Sequence, residues 1–413
     1  MTDTADIINF LADLSADHPL AQARARRDDA LHNAQLSFSA LLEPERPGTF
    51  TLAERYAVAT YVAGLHRADR AHAFYADLLA DESDSLPGRV DAAIERGLST
   101  GPYGVFRESE LTDFSEPGGF FLHDGPTERL AGAFDIAHLL VYHPRDSRPE
   151  AIGHLYATGW SSDDIVSLAQ LVSFLAFQLR VVHGLRVVSG QSVTGSDTEA
   201  DTATRGAGEQ PDWRVTDDVL TYEELARPER FVAHPLGWHG WVPPVDKKDL
   251  TAEQVDSLIK PERADMPYFR LLARDPAALK ARTLTDLDIF YNTDGGLGRA
   301  ERELAATVVS RLNGCIYCAS VHQGRTKDEG GDAERVDALL ADGVDVDLGS
   351  KSWNQLRDLS VALTVTPMSL TAEHIAGLDW AEALDAVYSA AFFNWANRLM
   401  LFLGEPEVPR RFR

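Results

Sequence analysis

Apolar positions along the chain recur mostly at helical spacing, and the alternation that marks a strand is scarce. Within 128–142, Leu130, Phe134, Ala137, His138 and Val141 fall at helical intervals, and 52–65 is dense in Ala, Val and Leu behind a charged start. Ser161-Ser162-Asp163-Asp164 is a helix-opening signal ahead of 165–182, a stretch apolar on most sides and so predicted as a buried helix. The second half predicts helices over 299–312, 315–324, 332–341, 352–364, 371–377 and 381–403. Two stretches, 101–125 and 234–245, hold Gly, Pro and aromatics without a period and read as irregular insertions. The pattern predicts an all-α protein.

One segment interrupts it. Residues 189–211, SGQSVTGSDTEADTATRGAGEQP, have only Val193 and three alanines as apolar members. Such a stretch cannot bury enough surface to offset its ordering entropy. It predicts a flexible linker (189–211) between two domains, 1–188 and 212–413. An internal repeat accompanies the division. Ala53-Glu54-Arg55 recurs as Ala300-Glu301-Arg302, and at the same offset Ala59, Thr60, Val62 and Leu65 fall on Ala306, Thr307, Val309 and Leu312. Later, FLAFQLR at 174–180 resembles FFNWANR at 392–398.

Charge narrows the function classes. Against 39 Lys and Arg stand 64 Asp and Glu in 413 residues, a formal charge of −25. A field of that sign repels phosphate backbones and anionic lipid, so neither nucleic acid nor a membrane is an expected partner. Uninterrupted apolar runs such as 136–142 and 174–177 fall short of the roughly 20 residues a helix needs to cross a bilayer. Asp3, Asp6, Asp13 and Asp17 precede the first basic residue, Arg24, so no signal peptide is expected. Two cysteines cannot build a disulfide framework, and the expected location is cytoplasmic.

Both cysteines sit in one tetrapeptide, Cys315-Ile316-Tyr317-Cys318, after the turn signal Asn313-Gly314. This places Cys315 near a helix N-terminus, where unpaired N–H groups and the helix dipole favour a thiolate and a depressed thiol pKa. The i,i+3 spacing brings the two sulfurs within disulfide reach. His322 follows Cys318 by four residues on the same face, where an imidazole can take the thiol proton and return it to a leaving group. Glu303 lies on the preceding predicted helix, and antiparallel packing would carry its carboxylate to the Cys and His pair. A zinc site would need two more ligands, His322 and one further His or Asp, and the compact spacing suits redox chemistry better. The other histidines read as scattered, and Trp238, Trp241 and Trp395 as aromatic core. Gly295-Gly296-Leu297-Gly298 lacks the Lys-Ser or Lys-Thr of a phosphate loop.

Glu303, eleven residues, Cys315, two residues, Cys318, three residues, His322 resembles the active-site pattern of the alkylhydroperoxidase D-like proteins of the carboxymuconolactone decarboxylase superfamily. The resemblance is carried over roughly 286–404, including Ala390-Ala-Phe-Phe-Asn-Trp-Ala-Asn-Arg398. It implies two tandem all-α helical bundle domains that form a homo-oligomer. The first would be a degenerate copy, with Tyr56, Ala68, Ala71 and Tyr75 opposite Glu303, Cys315, Cys318 and His322. The implied activity is a thiol peroxidase acting on hydrogen peroxide or organic hydroperoxides, without cofactor or metal. Cys318 would be the peroxidatic thiol, Cys315 the resolving thiol, and Glu303 with His322 the proton relay. A thioredoxin-like or lipoyl-type dithiol carrier would act as reductant. Some peroxidatic members have a His where this chain has Tyr317. Two other functions fit the pattern: a carboxymuconolactone decarboxylase-like lyase or isomerase, and a non-catalytic redox sensor.

Overall fold

The computed structural model describes residues 6–123, 125–193 and 211–413. The first half contributes α1 (Ile7–Leu11), α2 (Pro19–Arg24), α3 (Asp28–Leu42), α4 (Leu52–Leu65), α5 (Asp69–Glu82), α6 (Pro87–Gly97), α7 (Glu128–Tyr142), α8 (Pro149–Ala157) and α9 (Ser162–Val188). The second contributes α10 (Ala252–Ser257), α11 (Pro267–Leu272), α12 (Pro276–Tyr291), α13 (Arg299–Asn313), α14 (Ile316–Asp328), α15 (Ala333–Asp342), α16 (Lys351–Thr364) and α17 (Trp380–Phe402). The fold is all-α. Its one sheet among the described residues is a ribbon in which β1 (Gly237–Gly240) pairs antiparallel with β2 (Gly404–Glu407), Trp238 opposite Pro406. That ribbon lies inside a stretch read as irregular, and it ties the chain after α17 back over the second half.

Helix starts follow the capping chemistry of the sequence. Thr51 with Glu54, Ser161 with Asp164, and Asp379 with Glu382 each form a reciprocal capping box. The helix expected over 371–377 is absent. His374 Nδ1 accepts the Thr371 backbone N–H, and the segment runs as turns to Gly377 at φ 84°. Seven residues closed by a local side-chain bond do not repay helix nucleation. Of the predicted linker, residues 194–210 lie outside the described residues.

At the positions that match in sequence, the two halves share local features. Arg55 donates to the carbonyls of Leu41 and Phe50, closing the α3–α4 corner; Arg302 donates to those of Ile289 and Asn292, closing the α12–α13 corner. Thr60 and Thr307 each return a hydroxyl bond to the carbonyl four residues back. Ala68 and Cys315 each stand at the N-cap of the next helix, preceded by left-handed residues Arg67 and Gly314.

The described residues of both halves share one hydrophobic core, centred where α9 lies along α17 and α3 along α12. Phe174 and Phe177 meet Trp395 there, with ring centroids 5.3 and 5.5 Å apart. One expectation from run lengths needs correcting. The 27-residue α9 is long and apolar enough to cross a membrane, because Gln170, Ser173, Gln178 and Arg180 break its apolar runs without breaking its hydropathy. Here it is buried within the protein, where Tyr75 donates to Gln178 and Trp395 to Gln170.

Candidate functional site

The site is built on the α13–α14 corner. Gly314, at φ 82°, ends α13 in the left-handed conformation and reverses the chain. A Cβ there would lie 3.1 Å from Phe106 and 3.3 Å from Arg145, so the corner is closely packed. Cys315 caps α14, Cys318 sits in its first turn and His322 in its second. Because α13 and α14 pack together, Glu303 reaches His322 directly, its Oε2 accepting from Nδ1. The antiparallel approach expected from the sequence is what places this acid against the imidazole. Among the described residues His322 Nε2 has no hydrogen-bond partner, which leaves that nitrogen available to exchange a proton.

All four side chains are buried, Glu303 completely. Burial alone would raise the Glu303 carboxyl, but His322, Arg299 and Arg325 outweigh it and hold it below the usual carboxylate range. Arg299 Nε donates to Oε1 at 2.6 Å, and Arg325 approaches the same oxygen at 3.8 Å. Phe393 stands edge-on to the His322 ring at 4.2 Å, with Phe290 behind at 6.0 Å. The imidazole–carboxylate pair thus sits against apolar walls that strengthen its electrostatics.

The sulfurs are free thiols near one another. The depressed thiol pKa expected at a helix N-terminus is not what the structure gives Cys315. Burial pushes this thiol well up, and the Cys318 thiol adds to that. The Cys318 backbone N–H and the Asn397 side chain oppose it without prevailing. The reason is depth: Cys315 is 1% exposed, and lost hydration exceeds what one helix end supplies.

Several residues in and around the site were not picked out from the sequence. Arg299 and Arg325, four before Glu303 and three after His322, were legible as helix neighbours. Asp286 and Arg282 arrive from α12 and Tyr268 from α11, through tertiary packing that no local pattern announces. Asp286 feels Arg282, His322, Arg325 and Glu303, and burial pushes its carboxyl up. Elsewhere, histidines that read as scattered gather in the first half. His123 and His154 both bond Asp135 at 2.9 Å, and His138 meets His143 at 3.3 Å, which in turn bonds Asp146. A cavity of about 820 Å³ adjoins Ala68 and Ala71, the first-half counterparts of the two cysteines, lined also by His66, Asp69 and His183. Among the described residues no three His, Cys, Asp or Glu side chains are arranged to hold a metal ion.

The chain is all-α and sets an acid–imidazole pair on the corner whose second helix opens with two thiols, one at its N-cap and one in its first turn. A family model described as the carboxymuconolactone decarboxylase family matches residues 276–357. The match runs from α12 into α16 and contains Glu303, Cys315, Cys318 and His322, so this segment is similar to that family. No curated protein matches the chain.

Proposed function

We propose that this protein is a cysteine-dependent thiol peroxidase reducing hydrogen peroxide or organic hydroperoxides through a Cys315–Cys318 dithiol/disulfide cycle. The observation that carries this reading is the buried Glu303–His322 bond on the helix that carries both thiols. His322 takes the Cys318 proton. The thiolate attacks one oxygen of the O–O bond, forming an S–O bond, and the departing alkoxide or hydroxide takes the proton back from His322. Cys318 is then a sulfenic acid and the product an alcohol or water. Cys315, kept protonated by burial until this point, attacks the Cys318 sulfur, and its proton leaves with the displaced hydroxide as water. The net change is two thiols and one hydroperoxide to a disulfide, an alcohol and water. A thioredoxin-like or lipoyl-type dithiol carrier restores the thiols by exchange. Glu303 fixes the ring through Nδ1, and Arg299 keeps Glu303 ionised.

In the same reading residues 1–188 are a degenerate, chemically silent copy of 212–413, the protein works as a homo-oligomer, and it resides in the reducing cytoplasm. The test is stoichiometric thiol loss on peroxide addition. Cys318→Ser abolishes peroxide consumption, and Cys315→Ser accumulates a trappable sulfenic acid. Wild-type consumption by Cys318→Ser overturns the assignment. The family match favours a second reading, a lyase or isomerase acting on a lactone acid. Activity on such a substrate surviving the double Cys→Ser change would select it.

A further inference from the structure

Two buried polar groups at this site make no bond. Arg282 is 7% exposed, its Nε–H has no acceptor, and among the described residues it enters no ion pair. Its guanidinium instead lies over the rings of Phe392 and Trp395, at 5.1 and 5.8 Å. The second group is the Tyr268 hydroxyl, buried and without a partner. Its ring is held edge-on against Trp238 and Phe269, at 5.2 and 5.4 Å. The electrostatic neighbours of this hydroxyl are Arg282, Cys318, Cys315 and Tyr317, so both orphan groups lie on the sulfur side of the site.

A buried N–H without an acceptor is costly, and groups left in that state mark places a ligand completes; the carboxylate that Arg282 does feel, Asp286 one turn on along α12, makes no ion pair with it. A guanidinium fork and a phenol O–H together offer donors and positive charge, which a carboxylate matches and a neutral peroxide does not. Between Arg282 and His322 run Phe392 and Phe393, 5.9 Å apart, an apolar floor with the cation at one end and the imidazole at the other. We infer that Arg282 and Tyr268 hold the carboxylate of an organic hydroperoxide whose apolar body lies over Phe392 and Phe393 and whose O–O bond meets Cys318. The inference rests on the peroxidase reading and narrows its substrate to anionic organic hydroperoxides. Tyr268 lies outside the matched segment 276–357, so the inferred anion site uses a residue the family match does not cover.

The experiment compares cumene hydroperoxide with its 4-carboxylate derivative, on the reduced full-length protein, by stopped-flow thiol oxidation. The carboxylate compound is expected to react at least 10-fold faster, and Arg282→Met to bring the ratio of the two rates near one. Tyr268→Phe lowers the ratio by a smaller factor. Equal rates in the wild type, or an undiminished ratio in Arg282→Met, overturn the inference. Should Arg282→Met fail to fold, competition in the wild type decides: 4-isopropylbenzoate slows the carboxylate compound if the inference holds, and no slowing overturns it. Calorimetric binding of 4-isopropylbenzoate separates the two readings. Binding with no thiol oxidation by any peroxide retains the anion site and sinks the peroxidase. Oxidation without binding sinks the anion site alone.

Discussion

Replacing Glu303 by Gln removes one negative charge from a completely buried position while keeping the side chain's shape. In the wild type that charge faces Arg299 Nε at 2.6 Å, His322 Nδ1, and Arg325 at 3.8 Å. Breaking a buried ion pair by deleting one partner costs about 3–5 kcal/mol, because the surviving charge stays out of water. Unfolding entropy near 2.1 cal/mol/K per residue makes that roughly 1 °C in Tm per kcal/mol for a chain this long. The expected fall at pH 7 is therefore about 3–5 °C by calorimetry. The sign of the pH dependence follows from the direction of the shift. Glu303 is held below the ordinary carboxyl value when folded, so its contribution is full above the unfolded value, about 4.3, and fades as pH drops through the folded one. The wild-type advantage should be largest at neutral pH and shrink in acid below about 4. The variant should also lose the proton relay, slowing peroxide-driven thiol oxidation by about 100-fold. Identical melting curves at pH 7, or an advantage that grows in acid, would refute the ion-pair argument.

Other outcomes follow from the same geometry. Gly314→Ala puts a Cβ into a left-handed position beside Phe106 and Arg145 and should cost about 1–2 kcal/mol, read as a lower urea midpoint. In a Cys318→Ser background, alkylation of Cys315 by iodoacetamide should stay slow past the pH at which an ordinary cysteine reacts, since burial keeps its thiol protonated. Reaction at the rate of a free thiol at pH 8 would contradict that. Trp395→Ala removes a side chain with no exposure from the α9–α17 contact and should cost about 3–5 kcal/mol by denaturant titration.

The two sulfurs and the imidazole were legible because they share the start of one helix, where spacing settles relative position; the acid, on the helix before, was legible only on the condition that the two helices pack antiparallel. The helices over 52–65 and 128–142 were legible for a similar reason, with Thr51 and Thr127 capping amphipathic runs. What escaped depends on distance along the chain. Arg282 meets the α17 rings Phe392 and Trp395 from α12, and Tyr268 comes within the field of the cysteines from α11, and nothing local to either residue encodes that. The histidine cluster was missed likewise, since His123 and Asp135 join an irregular insertion to α7. The reversed direction at Cys315 has another origin. Sequence identifies a helix end, but how far that end lies from water is decided by the packed interior, and there the loss of hydration prevails.

Two arginines at matching sequence positions show how the two halves hold one another in place. Arg180 on α9 and Arg398 on α17 are the shared terminal residues of the matched segments, and both are fully or almost fully buried. Neither is paired with a carboxylate among the described residues. Arg180 donates across to the Thr364 carbonyl at the end of α16, at 2.7 Å, and Arg398 donates across to the Leu140 carbonyl near the end of α7, also at 2.7 Å. Each half thus satisfies the other's helix-terminal carbonyls with a buried guanidinium. Buried groups of this kind are costly when orphaned, so removal of either half would strand both the arginine and the carbonyls of its counterpart. On that account the first half, though it carries Ala68 and Ala71 where the second carries its sulfurs, is held by a structural requirement. α17, whose Asn397 reaches the Cys315 thiol and whose Phe393 walls His322, packs against α13 and α16 of its own half and against α9 of the first, with Arg398 reaching the end of α7.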